Sequence, residues 1–188
     1  MTSPSDKPVQ GPAAAGIVAN DPFWSVVRRR HPDIDIVVLP PDEAPDLTPA
    51  PGAEPIHTGA ARTDFEADVA DLWDRLGQPE ERSSVRWTTA PNRGAVALEG
   101  RITAEDVDPD EAAATLRRAA ERLADAGWHV LVPPDGLPRL SAGQVRSTGR
   151  RTVQLVHVPD LARLTLIVRS EPIPVSRNTA ATLLGGAR

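Results

Sequence analysis

The stretch DPDEAAATLRRAAERLADAGWHVLVPP, residues 108–134, decides the fold, because it reads as one capped helix running straight into a strand. Asp108 is placed to accept hydrogen bonds from the orphan amides of a first helical turn. Pro109 falls at the first helical position, where a missing N–H costs nothing. Asp110 and Glu111 put negative charge at the positive end of the helix dipole. Ala112, Leu116, Ala119, Ala120 and Leu123 recur at helical spacing, while Arg117, Arg118, Glu121 and Arg122 fall mostly elsewhere. Gly127 stands where a left-handed cap ends a helix. Trp128 to Val132 is then a short strand, stopped by Pro133-Pro134.

On the N-terminal side, Thr63-Asp64-Phe65-Glu66 has the form of a capping box. It predicts a helix with Phe65, Val69, Leu72, Trp73 and Leu76 on one face and Asp64, Asp68, Asp71 and Asp74 on the other, ended by Gly77. Residues 84–89 and 95–103 alternate apolar and polar about the turn Pro91-Asn92-Arg93-Gly94 and predict a hairpin. On the C-terminal side, 135–149 is rich in Gly, Ser and Arg and reads as a flexible loop. Two alternating strands follow at 150–158 and 163–170. Short strand connections with few helices imply an α+β two-layer sandwich, a mostly antiparallel sheet with helices on one face, over residues 63–175.

The ends are read differently. Residues 1–19 are polar and rich in Pro, Ala and Gly, so a disordered tail is expected. Asn20 or Asp21 caps a short helix carrying Phe23, Trp24, Val26 and Val27. A strand over 34–39 completes a helix–strand arm at 20–39, either separate or part of the main sheet. Residues 40–62 hold six prolines without periodicity and read as a linker, and 176–188 as a tail. IVVLPPDEAPDL (36–47) echoes HVLVPPDGLPRL (129–140), either as a duplicated helix–strand unit or because strands ending in Pro-Pro-Asp turns resemble one another.

Composition narrows function mostly by exclusion. The chain has 188 residues and no cysteine, so disulfides, thiolate metal sites and cysteine nucleophiles are ruled out. Its start lacks the apolar segment of a secretory signal, and no apolar run reaches membrane-spanning length, which together predict a cytoplasmic protein with no membrane partner. Lys7 is the only lysine, an arginine bias expected of a GC-rich bacterial genome.

His31, His57, His129 and His157 show no helical metal-pair spacing, though His129 and His157 could lie on neighbouring strands. The aspartates at 64, 68, 71 and 74 read as a solvated face rather than a metal site. Ser83, Ser84, Ser141 and Ser147 stand in no nucleophile motif, and Gly143 and Gly149 form no phosphate-binding loop. No cofactor is expected.

Charge is the more informative signal. From Arg139 onward eight arginines face only Asp160 and Glu171, a balance of +6 in a chain of net charge −5. Arg146, Arg150, Arg151 and Arg169 therefore read as a basic sheet region for phosphate or an acidic protein, unless the acidic 63–81 segment compensates it. Trp73, Trp87 and Trp128 fit core positions, whereas Phe23 and Trp24, beside Arg28 and Arg29, read as a docking anchor. The expectation is a non-enzymatic protein-binding or adaptor-type protein, with chaperone-like and antitoxin-like roles included. A homo-oligomer through a sheet edge falls within that reading. Nucleic-acid or phospholigand binding is the alternative, and an enzyme with an unfamiliar site around His129 and His157 is the third.

Overall fold

The chain divides after residue 43 into two units, 1–43 and 44–188, in a computed structural model that describes residues 12–33, 36, 45–50, 56–79 and 82–185. The first unit holds two helices, α1 (Pro12–Asn20) and α2 (Pro22–Arg30). The expected tail thus contains a helix from Pro12, where an N1 proline precedes three alanines, the strongest helix formers. Residues 1–11 lie outside the described residues, as does most of the strand expected over 34–39, and with it the 36–47 echo. The cap of α2 is as expected: Asp21 Oδ1 accepts from the amides of Phe23 and Trp24, each at 2.9 Å.

The second unit is α+β. Its helices are α3 (Thr58–Asp74), α4 (Pro109–Asp125) and α5 (Arg177–Gly185). Its strands are β1 (Arg82–Thr89), β2 (Ala95–Ala104), β3 (His129–Leu131), β4 (Arg139–Arg146), β5 (Gly149–Val158), β6 (Arg163–Arg169) and β7 (Ile173–Pro174). They form one antiparallel sheet of order β1-β2-β6-β5-β4-β3, with β7 paired to the start of β2. After the β1–β2 hairpin, α4 carries the chain to the far edge at β3. The strands β4, β5 and β6 then walk back until β6 closes against β2; every pairing is antiparallel, and the connection through α4 is a long crossover.

Each element follows from local chemistry. Asp108 caps α4 by accepting from Asp110 N at 2.8 Å and Glu111 N at 3.3 Å, and Ala112, Thr115, Leu116, Ala119 and Leu123 are its buried stripe. Gly127, at φ 79°, turns the chain out of the helix. Replacing Asp108 by alanine leaves those amides to water and is expected to lower stability by about 1 kcal/mol. Urea unfolding checks it, and the midpoint should shift while the slope stays constant.

Three expectations are corrected. Helix α3 begins at Thr58, not Thr63, because Ala60, Ala61 and Arg62 are strong helix formers that offset the cost of Gly59. Thr63 is therefore not a cap; its hydroxyl donates to the Gly59 carbonyl four residues back, at 3.2 Å. The 135–149 segment is not a loop throughout, since Arg139–Arg146 is β4, in a hairpin with β5 through Ser147-Thr148. The C-terminal tail forms α5, whose first turn is capped by Ser176 Oγ accepting from Thr179 N at 3.2 Å. The linker is also partly anchored: Leu47 N donates to Arg93 O at 2.8 Å, and Asn92 Nδ2 donates to Pro45 O at 3.0 Å.

All three helices of this unit lie on one face. Phe65 and Val69 of α3 sit over Gly100 of β2, α4 crosses β3, β4 and β5, and α5 lies against β1. The core between the layers is one cluster that includes Phe65, Val69, Trp73, Trp87, Leu98, Ile102, Leu116, Leu140, Leu155 and Leu166. Ala180, Leu183 and Leu184 of α5 pack against its margin.

Candidate functional site

Because paired residues in an antiparallel sheet point to the same side, register assigns every strand residue to a face. Val96, Leu98, Gly100, Ile102 and Ala104 of β2 face the helices, with Val85, Trp87, Leu164, Leu166, Val168, Val153, Leu155, Leu140, Ala142 and Val130 beside them. The intervening residues form the opposite face, which no described helix of residues 44–188 covers. There the side chains include Arg82, Arg86, Arg101, Arg139, Arg150, Arg163 and Arg169, among Ser84, Ser141, Thr152, Gln154 and Thr165 and the apolar Leu131, Val145, Val156 and Ile167. Seven arginines on that open face meet one strand carboxylate, Glu99, plus Glu105 just beyond β2.

Glu99 organises the middle of the face. Its Oε1 accepts from Arg86 Nη2 at 2.6 Å and Nε at 3.1 Å, and its Oε2 accepts from Arg169 Nη2 at 3.3 Å. Glu105 accepts from Arg163 Nε at 2.9 and 3.0 Å through its two oxygens. Arg82, Arg101 and Arg150 make no ion pair among the described residues. Burial favours the neutral form of Glu99, but the Arg86 hydrogen bond and the charges of Arg86, Arg169 and Arg101 outweigh it and hold its carboxyl below the usual glutamate range.

A depressed carboxyl pKa in the folded state stabilises the fold above the unfolded value, about 4.3, and that contribution disappears as pH falls through the lower folded value. Replacement of Glu99 by glutamine should therefore lower the melting temperature near neutral pH. The gap between the two proteins should narrow as pH falls below about 4. Thermal melts across an acid pH series check it; a gap that stays constant with pH would show that the Arg86–Glu99–Arg169 cluster does not contribute.

The four arginines expected to act together are split. Arg150 and Arg169 lie on the open face, but Arg151, one residue from Arg150, points to the helix side because side chains alternate along a strand. Its guanidinium donates to Asp68 Oδ2 at 2.9 Å and sits 5.8 Å from the Phe65 ring centroid, so it is structural. Among the described residues this is the one ion pair between the acidic helix and the basic C-terminal strands. Arg146 also turns to the helix side and lines a cleft of about 1010 Å³ between α3 and α4. Its floor is Leu140, Val153 and Leu155, and its rim carries Asp68, Asp71, Arg75 and Arg122. Asp71 pairs with Arg75 and Asp68 with Arg151, which leaves the rim largely self-neutralised. Arg82, Arg86 and Arg101 were absent from the sequence-based set. Their signal was the polar half of the alternation in β1 and β2, opposite Val85, Trp87, Leu98 and Ile102.

In the first unit, Phe23 and Trp24 are exposed, at 65% and 44%, with rings edge-to-face at 4.9 Å. Arg28, Arg29 and Arg30 occupy the last turn of α2 and are exposed, where cations favour the helix dipole. Trp73 and Trp87 are buried as expected, and Trp128 is half-buried at the core margin.

The two histidines do not meet. His129 is exposed on the open face of β3, whereas His157 is buried on the helix side of β5, with β4 between them. His157 Nε2 lies 3.3 Å from the carbonyl oxygen of Val107. The neighbouring-strand pairing that the sequence left open is thus not formed, which removes the geometric basis of a reaction centred on these two histidines. Asp64, Asp68, Asp71 and Asp74 are exposed on α3, and no group of three or more metal-ligating side chains gathers among the described residues. Among the described residues no helix is long and apolar enough to cross a membrane. No known family profile, no curated protein and no solved structure matches this chain.

Proposed function

We propose that this chain is a non-enzymatic, adaptor-type binding protein whose partner is another protein. The observation that carries this reading is the open face of the sheet. An antiparallel sheet with one wet face normally mixes polar residues of both signs there. Here one sign dominates, in a chain whose total charge is negative. Arginine presents a planar fork suited to carboxylates and is enriched in protein interfaces. Single-stranded nucleic acid on a sheet is read by bases stacked on aromatic rings. The face carries no Phe, Tyr or Trp: Trp87 points to the helices, and the one ring on the face is the imidazole of His129 at its β3 edge. The exposed Phe23–Trp24 pair beside three arginines supplies a second surface of interface composition.

The test is tagged purification from the source cell after nuclease treatment, comparing the natural chain with the charge-reversed R82E/R101E variant. Neither arginine holds an ion pair among the described residues, and circular dichroism checks that the variant keeps its fold. The expected result is a stoichiometric protein that co-purifies with the natural chain and is lost from the variant. Absence of any such protein, or one indifferent to the variant, overturns the reading.

A further inference from the structure

Resting on that reading, we infer that one row across the open face is the docking strip, and that its ligand is an extended acidic peptide segment with carboxylates about three residues apart. The row follows from the register: Arg86, Glu99, Arg169, Thr152, Gly143 and His129 stand side by side on β1, β2, β6, β5, β4 and β3. Gly143 belongs in it because Arg150 folds over it. A Cβ built at Gly143 would overlap the Arg150 guanidinium at Nε, Cζ and Nη2, so the missing side chain is the seat on which that cation lies. The strip thus carries guanidiniums from β1 and β6 and over β4. Neighbouring strands are about 4.8 Å apart, which sets the two intervals between guanidiniums, centred on β2 and on β5, roughly 10 Å from one another along a row of about 24 Å. An extended chain rises about 3.3 Å per residue, so carboxylates at every third residue match that repeat.

The protein already shows the chemistry. Glu99 receives Arg86 on one oxygen and Arg169 on the other, a carboxylate bridging two guanidiniums of the row. Glu99 is therefore an internal occupant of the first interval, while the interval between Arg169 and Arg150 holds only Thr152, with no acid. Arg150 has no ion pair of its own and is free to take an incoming carboxylate. Carboxylates of a polypeptide suit this arrangement better than a nucleic acid, since the strip has no Phe, Tyr or Trp on which successive bases could stack, and its one ring is the imidazole of His129 at the β3 end.

The experiment is fluorescence anisotropy of the 188-residue chain with a labelled synthetic peptide bearing glutamate at every third position, run beside a labelled single-stranded oligonucleotide. The peptide is expected to bind at low ionic strength. R150A and R169A should each weaken it about tenfold, in the range of lost hydrogen bonds to charged groups. G143V keeps every charge but unseats Arg150 and should weaken binding similarly, whereas R117A, on the outer surface of α4, should leave it unchanged. E99Q should tighten binding by freeing Arg86 and Arg169. If R117A weakens binding as much as R150A, or G143V has no effect in a folded protein, bulk charge is responsible and the strip is overturned. If the oligonucleotide binds in preference to the peptide, the face reads phosphate and the proposal also falls. A partner captured by the natural chain but not by R82E/R101E, together with no peptide binding, overturns the strip alone. Failure of both overturns the underlying reading as well.

Discussion

Replacing Trp73 by alanine is expected to remove about 3–5 kcal/mol of stability, the range for deleting a buried aromatic side chain. Trp73 is 1% exposed, the largest of the fully buried side chains, and is the last buried residue of α3, one position before the helix ends. Helix α3 holds to the sheet through Phe65, Val69 and Trp73, with Leu76 just beyond its end, so the cavity removes the largest of these contacts and frees the helix's last turn. The surrounding residues belong to a sheet with fixed register, which limits how far they can collapse into the space. Domains are stable by only about 5–15 kcal/mol, so W73A should lie near its unfolding transition at physiological temperature.

The phenylalanine variant separates two terms hidden in that figure. Trp73 Nε1 is buried without a hydrogen-bond partner, a condition that costs roughly 1–3 kcal/mol. W73F keeps most of the ring volume and removes the unsatisfied N–H. Its loss is expected to be less than half that of W73A, measured by urea unfolding of both proteins. An alanine variant within about 1 kcal/mol of the natural chain would mean that α3 is not anchored at this residue.

What could be read from sequence follows from how many independent signals agreed at each place. Helix α4 carried a cap, an N1 proline, an acidic first turn, an apolar stripe and a terminal glycine, and all of them formed. The β1–β2 hairpin was legible because alternation on both strands flanked a recognisable turn. Strand β4 was not, because its inward side offers only Leu140 and Ala142 before Gly143, and its remaining residues have loop composition. The reason a glycine is kept inside that strand is tertiary: Arg150 of the next strand lies on it. Thr63 misled for the opposite reason, since a complete local capping signal lost to upstream alanines that extended the helix.

The arginine face was half visible for a geometric reason. Counting charge along the chain groups Arg146, Arg150 and Arg151, but the pleat sends Arg151 to Asp68 and Arg150 to the opposite side. It also brings in Arg82, Arg86 and Arg101 from strands far away in sequence, an arrangement available only once the order β1-β2-β6-β5-β4-β3 is known. The arm at Phe23 and Trp24 was legible because it is local, one cap and two exposed rings.

The position where the two layers approach most closely yields the other large effect. A Cβ added at Gly100 would lie 2.9 Å from one Val69 methyl, 3.2 Å from the other and 3.2 Å from Phe65 Cε1. Val69 cannot swing aside, because a β-branched residue in a helix has essentially one χ1 well. Relief must come from lifting α3, and the same face carries Phe65 and Trp73, so all three contacts loosen together. Replacement of Gly100 by valine is therefore expected to cost at least the roughly 1–3 kcal/mol of an overpacked core, with G100A below it. The lift also draws Phe65 and Asp68 away from Arg151, whose side chain is only 15% exposed and has no other ion-pair partner among the described residues. If the clash with Val69 is the cause, shortening that residue should absorb it. V69A alone creates a cavity and destabilises; in the G100A background it should cost far less, so the double variant is more stable than the separate losses predict. A double-mutant cycle by urea denaturation measures this coupling directly. Strictly additive losses would place the strain of G100A elsewhere than at the Gly100–Val69 contact.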